Sequence, residues 1–292
     1  MMIDFPKWYP SFLYDVYTTG HQREARGKKH RAKFNVVVDS HAIPEIPRSH
    51  WFGRRFAIAE LMSYVCGWDD VAWLARFNKN IAQFSDNGVS FNGAYGPRIN
   101  ASIGTVLKNV RDDLHTRQAV LHIFRNEDLE IETKDIPCNT SFQLQSVNGT
   151  LNMTIYQRSC DLVWGFPYDH FSFSAMLYLL AVELGLSVGI TTRFIANAHV
   201  YLPNEYQSES RIQAAMEPMV TDLWVPKPNS WRAFHIAAQE ARYLIEGHTL
   251  EDSIVEGTEF LLNELGFSLI MDESLNLKTG KASPKTFKAV KS

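Results

Sequence analysis

The chain has 292 residues, 45% of them hydrophobic and 21% charged, with a formal net charge of −3. That balance excludes a low-complexity or disordered chain and fits one globular enzyme domain with room for an appendage. It gives no overall electrostatic bias toward stable nucleic-acid or membrane binding, so an anionic substrate must be met by a local cluster of arginines. No apolar run approaches the ~20 residues that span a bilayer, and the first residues lack the basic and apolar regions of a signal peptide. The three cysteines, Cys66, Cys138 and Cys160, fit neither a disulfide framework nor a metal-ligand spacing. A reducing cytoplasm is the expected compartment.

In chain order, residues 1–30 are mixed, with a basic cluster over 23–31. Residues 34–39 are β-branched and predict a strand. Across 51–67, Phe56, Ile58, Ala59, Leu61, Met62 and Val65 recur at helical spacing, and Gly67 supplies a stop. A second helix is expected over 69–84, a turn at Asp86-Asn87-Gly88, and an amphipathic helix over 103–113. Strands follow at 119–124, 140–146 and 150–157, the last two joined by the hairpin signal Asn148-Gly149. Residues 170–183 are almost wholly apolar and stop near Gly185, which predicts a buried helix. A strand over 189–197 comes next. Beyond residue 204 the stretches 230–246 and 250–265 read as fairly polar helices, and the last 15 residues are Lys-rich. Helices, then strands, then a central helix predict an α+β fold. Residues 1–205 form the expected catalytic domain, and 206–292 a helical C-terminal segment and tail packed on it.

The chemistry concentrates around Cys138. A free cysteine by itself is more often a small buried hydrophobe. Here Arg158 lies on the neighbouring strand of the predicted hairpin, where it can supply the positive charge a thiolate needs. Cys66 and Cys160 lack such a setting and are assigned to packing.

Pro137-Cys138, then Tyr156-Gln157-Arg158-Ser159-Cys160-Asp161, then Gly165-Phe166-Pro167-Tyr168, then His199-Val200-Tyr201 form a series that resembles the central motifs of the thymidylate synthase superfamily. The resemblance is strongest over 138–201, reaches upstream to Glu60 and fades before residue 50 and after about 205. It implies a thymidylate synthase-like mixed β-sheet packed by helices, with a helical C-terminal extension. It also implies that Cys138 adds to carbon 6 of a pyrimidine nucleotide, so that carbon 5 attacks the one-carbon unit of 5,10-methylenetetrahydrofolate, without a metal. By the same resemblance Arg158 and Ser159 bind phosphate, and His199 and Tyr201 hold the sugar hydroxyl. Asp161 contacts the folate ring system, with Gly165, Ile99 and Asn139 on the cofactor side. Glu60 organises water and proton transfer, with Tyr95 beside it. Arg117 would reach into a partner subunit's phosphate site, which implies a homodimer, while Gln118 replaces the second arginine of that pair. The N-terminal phosphate ligand is Arg26 or Arg23. Taken singly, Glu60 could be an ordinary helix residue, His199 a structural histidine and Arg158 a surface residue. The matched spacings count against all three together.

Asp169 departs from the synthases, which carry asparagine there. An amide offers a donor and an acceptor and suits uracil; a carboxylate offers acceptors only and suits the amino group of cytosine. The deoxycytidylate hydroxymethylases of the superfamily carry the same replacement. The alternative is that Asp169 caps a helix starting near residue 170. Ile99 stands where the synthases have a tryptophan that keeps the reaction intermediate dry, which favours a hydroxymethyl product. The expected function is therefore a dCMP hydroxymethylase, in a host cytoplasm if the source is viral. A dCMP methylase, a CMP hydroxymethylase and an inactive relative acting as a binding protein remain as alternatives.

Overall fold

The computed structural model describes residues 2–41, 43–205 and 208–247. A short strand, β1 (Met2–Ile3), leads into a helix that the sequence reading left unassigned, α1 (Phe5–Thr19). Pro6 lies in its first turn, where a missing N–H is no loss. Phe5, Tyr9, Leu13 and Val16 bury one face of it. β2 (His21–Ala25) and β3 (Lys28–His41) form a hairpin turning at Arg26-Gly27, both with positive φ. β4 (Glu45–Pro47) precedes α2 (Arg54–Cys66), which ends on Gly67 at φ 78° with its N–H bonded back to the Ser63 carbonyl.

The single helix expected over 69–84 is instead two short pieces, α3 (Val71–Ala75) and a 3-10 turn at Lys79–Phe84. The reason is local capping. The Asp70 side chain accepts from the Trp73 N–H, and the Asn78 side chain accepts from the Asn80 N–H, so each restarts the chain rather than continuing it. α4 (Tyr95–Asn100) and α5 (Ile103–Asp112) follow.

The strands β5 (Val120–His122), β6 (Asn139–Val147) and β7 (Thr150–Gln157) lie where expected. Asn148 and Gly149 both take positive φ, 51° and 74°, as a two-residue hairpin turn requires. β8 (Cys160–Asp161) leads to α6 (Phe166–Leu184), the buried central helix, closed by Gly185. β9 (Ser187–Tyr201), α7 (Glu209–Met216), β10 (Thr221–Leu223) and α8 (Trp231–Gly247) complete the described chain. The helix expected over 250–265 and the Lys-rich tail lie outside the described residues.

The main sheet runs β1-β3-β9-β7-β6-β5, with β2 added to β3 and β8 to β9. β7 and β8 pair parallel with β9 while β3 pairs antiparallel with it, so the sheet is mixed. β10 pairs with β4 in a second, two-stranded sheet. Period-two alternation divides the faces. Phe142, Leu144, Met153, Ile155 and Ile195 are buried in the core that holds α6. On the opposite face Val37, Phe194 and Tyr156 stand in one cross-strand row. These three remain 54%, 41% and 43% exposed.

Candidate active site

The β6–β7 pair brings Cys138 and Arg158 together. The Arg158 backbone N–H donates to the Cys138 carbonyl at 2.9 Å. Its guanidinium donates from Nε to the Pro137 carbonyl and from Nη2 to the Ile136 carbonyl, both at 2.8 Å. Arg158 thus fixes the loop that presents the cysteine and lays positive charge beside it. Cys138 keeps part of its surface accessible, but protein crowds the sulfur. That desolvation pushes the thiol up to about 11, with Arg158 pulling the other way.

Asp169 does not cap a helix. α6 begins at Phe166 with Gly165 in the capping position before it, and Pro167 fits the first turn. Asp169 therefore lies one turn inside, where the positive end of the helix dipole favours a carboxylate. Its Oδ2 accepts from Gln157 Nε2 at 2.7 Å and from Asn139 Nδ2 at 3.2 Å. Arg193 Nη1 stands 3.9 Å away. Asn139 is fully buried and also donates to the Tyr95 hydroxyl, from Nδ2 at 3.0 Å and from its backbone N–H at 3.2 Å. The residue after the cysteine therefore bridges Tyr95 and Asp169.

Glu60, on α2, has an Oε2 closed off from solvent with no hydrogen-bond partner. Burial, with the charge of Asp169 second, raises its carboxyl to about 8. At neutral pH it is a protonated acid, suited to passing protons to and from water. Because the folded value lies above the ordinary one, stability from burying the neutral acid is complete below pH 4.5 and is lost as pH rises through about 8. Glu60→Gln, neutral throughout, is expected to flatten the fall in Tm between about pH 5 and 9. A slope equal to that of the unaltered protein would count against a protonated Glu60.

A second cluster lies at the β8–β9 end. Asp161 Oδ1 accepts the N–H groups of Val163 at 2.8 Å and Trp164 at 3.2 Å, shaping the entry to α6. Gly165 is required there: a Cβ would come within 2.9 Å of the Asp161 carbonyl oxygen. Asp161 pairs in register with His199. Burial lowers the His199 imidazole's affinity for a proton while the Asp161 charge works against that. His199 Nδ1 is buried without a partner. His30, across the sheet from Tyr201, completes an aromatic trio, with ring centroids 5.4 Å from His199 and 5.9 Å from Tyr201.

Other predicted residues are spread more widely. Ser159 sits between β7 and β8, half-buried. Ile99 is fully buried on α4, one turn after Tyr95 and so on the same helix face. Arg26 is exposed at the tip of the β2–β3 hairpin, and Arg23, also exposed, lies over the Phe34 ring. Arg117 is exposed in the segment before β5, where its carbonyl accepts from Gln143. Among the described residues no hydrogen bond or ion pair joins its side chain to the cluster.

Sequence reasoning missed Arg193, His30 and Arg211. Arg193 had a signal, as the one Lys, Arg, Asp or Glu side chain in the strand β9 and at an inward position of it. Arg211, on α7, stacks its guanidinium 3.5 Å from the Trp164 ring centroid and buries Nε and Nη2 without partners. Among the described residues no group of three or more His, Cys, Asp or Glu side chains could hold a metal. No described helix is long and apolar enough to cross a membrane.

The sequence model of the thymidylate synthase family matches residues 7–252, well beyond the stretch where the motifs are recognisable by eye. A protein of Bacillus phage SP01 described as a deoxyuridylate hydroxymethyltransferase is 38% identical over 165 residues, 50% of this chain and 43% of the relative. One of Pseudomonas phage M6 with the same description is 35% identical over 208 residues, 66% of this chain and 58% of the relative. The chain thus spans about half the length of the curated relatives it matches.

Proposed function

This chain belongs to the thymidylate synthase family, and from that premise we propose that it is a folate-dependent deoxycytidylate hydroxymethylase, converting dCMP to 5-hydroxymethyl-dCMP. The observation that carries the reading is the setting of Asp169. With Oδ2 engaged by Gln157 and Asn139, Oδ1 is the oxygen that meets the base edge. Ionised, it accepts the 4-amino group of cytosine. Opposite uracil it would face another acceptor, a mismatch of about 1–3 kcal/mol. The phage relatives are described as hydroxymethyltransferases, which supports hydroxymethyl transfer; the nucleotide in their names is the uracil one, and the choice of cytosine here rests on Asp169 alone.

Cys138, as thiolate, adds to carbon 6 and leaves carbon 5 nucleophilic. Methylenetetrahydrofolate supplies one carbon at the oxidation level of formaldehyde. Carbon 5 bonds that carbon and loses its proton, and tetrahydrofolate leaves an exocyclic methylene on the base. Water adds there as hydroxide, and the bond to Cys138 breaks to restore the ring double bond. The sum is dCMP, methylenetetrahydrofolate and water giving 5-hydroxymethyl-dCMP and tetrahydrofolate, with no reductant consumed. Glu60, protonated and with Oε2 unpartnered, relays protons. Ile99, an aliphatic side chain beside Tyr95 on α4, favours entry of water over the dry wall an indole would make.

Arg158, Ser159 and Arg26 or Arg23 would hold the phosphate. The unpartnered His199 Nδ1, with Tyr201, fits a sugar hydroxyl. Asp161, Trp164 and Gly165 fit the folate side. The exposed row Val37, Phe194 and Tyr156 supports a homodimer formed through the sheet, with Arg117 reaching into the partner's phosphate site. Sedimentation should give twice the mass of one chain, and Phe194→Asp should shift it toward the monomer. A monomeric unaltered protein would remove the shared site.

The test of function is incubation with dCMP, dUMP or CMP plus methylenetetrahydrofolate, reading product mass and folate oxidation state together. Hydroxymethyl-dCMP with tetrahydrofolate is expected. Methyl-dCMP with dihydrofolate would make the protein a dCMP methylase. Absence of product from every nucleotide would favour an inactive relative.

A further inference from the structure

Arg193 is only 4% exposed, on the inward face of β9. Its guanidinium lies near the rings of Phe166 and Phe173, 5.7 and 5.2 Å from their centroids. A buried guanidinium is tolerated only where its donors and charge are met. Nη2 donates to the backbone carbonyl of Asp169 at 3.2 Å. Nη1 donates to Asn139 Oδ1 and Gln157 Oε1, each at 3.4 Å, and stands 3.9 Å from Asp169 Oδ2.

An arginine can only donate. Asn139 and Gln157 must therefore turn their oxygens toward Arg193, which turns both NH2 groups toward Asp169 Oδ2. The oxygen is ringed by donors and by one positive charge. Among the described residues, the charge of Arg193 is the leading one acting on Asp169, and Glu60, Tyr64, Tyr95, Cys138 and Cys160, none of them a cation, are the titratable groups that feel the Asp169 charge in turn. His170, whose imidazole is pushed down to about 3, stays neutral beside Arg193. Burial is the largest influence and leaves the carboxyl above its ordinary value, with the charge of Arg193 first among the groups that pull it back down. A neutral Asp169 would donate from Oδ1 and so match the oxygen of uracil, as an amide does. With Oδ1 facing the group on carbon 4, the protonation state of the carboxyl therefore bears directly on whether an amino group or an oxygen is accepted there.

We propose that Arg193 is a positioning residue for base selection: its charge, and the orientation it imposes on Asn139 and Gln157, hold Asp169 as a carboxylate and thereby select cytosine over uracil. This rests on the cytosine reading above. Arg193→Met keeps length and apolar packing between the two rings but removes the charge; Arg193→Gln removes it while retaining a polar group, and serves if the first variant does not fold. Arg193→Lys keeps the charge.

Two readouts are needed. Asp169 ionisation is followed by carboxyl carbon NMR in the nucleotide-free protein at neutral pH, the resonance assigned by its loss in Asp169→Asn. The ratio of dCMP to dUMP binding is measured by calorimetry. Asp169 should be ionised in the unaltered protein and in Arg193→Lys, and protonated in Arg193→Met or Arg193→Gln. The binding ratio should fall roughly 10- to 100-fold in the charge-removing variants and recover in Arg193→Lys. An ionised Asp169 in those variants, or equal loss of affinity for both nucleotides, would reduce Arg193 to a structural role and overturn the proposal. If the unaltered protein prefers dUMP while Asp169 still gains its proton on loss of Arg193, the cytosine reading fails and the control of the carboxyl by Arg193 stands.

Discussion

Replacing Cys138 with alanine is expected to lower turnover of dCMP by at least ~10⁴-fold while leaving its binding within a few-fold of the unaltered protein. In the proposed reaction the residue supplies the covalent bond on which every later step depends, so no neighbouring group can take over its part. The proposed phosphate and sugar contacts come from other side chains, chiefly Arg158, His199 and Tyr201, and these do not rely on the sulfur. Arg158 reaches the Ile136 and Pro137 carbonyls rather than the thiol, so the loop should hold its shape without it. Nucleotide affinity by calorimetry and turnover by product mass separate the two effects. Residual turnover above about a hundredth of the original would show that the nucleophile lies elsewhere.

Asp169→Asn is expected to reverse the base preference, moving the ratio of kcat/KM for dCMP over dUMP by roughly 100-fold or more, since each mismatched polar pair costs about 1–3 kcal/mol and two are exchanged. The direction follows from the surroundings. Gln157 and Asn139 present NH2 groups to the Oδ2 position, so the new amide must place its oxygen there and its own NH2 toward the base. That NH2 bonds the oxygen of uracil and opposes the amino group of cytosine. A ratio unchanged within twofold would place base selection outside Asp169, and the uracil nucleotide named for the phage relatives would become the first candidate substrate.

Much of the site was legible because its chemistry is local in sequence. The cysteine and the arginine twenty residues on flank the two strands of one hairpin set by Asn148-Gly149, a turn that admits little else, and the His199-Val200-Tyr201 series closes the strand β9. Gly67 and Gly185, both in the left-handed region, stop the helices where the reading placed them. α1 was missed because Pro6 and Pro10 interrupt the usual helical signal, and its four anchors gain their stability only from burial against the rest of the core.

The residues alone determined the family and its α+β mixed sheet, and they nominated Cys138 as nucleophile and Asp169 as the carboxylate at the base position. Only the tertiary structure decided which way the carboxylate is held. Alternation along β9 marks Arg193 as facing inward, but period two carries no information about what an inward side chain will meet. That depends on β6, β7 and α6 converging from separate parts of the chain, so that Asn139, Gln157 and Asp169 close around one guanidinium. The helix start at Phe166 likewise removed the capping alternative for Asp169, because Gly165 packs too close to the Asp161 carbonyl for any side chain and the helix begins there. Short-range preferences set the elements and their ends; the charge and donor pattern around a buried group is a property of long-range packing, and sequence periodicity does not encode it.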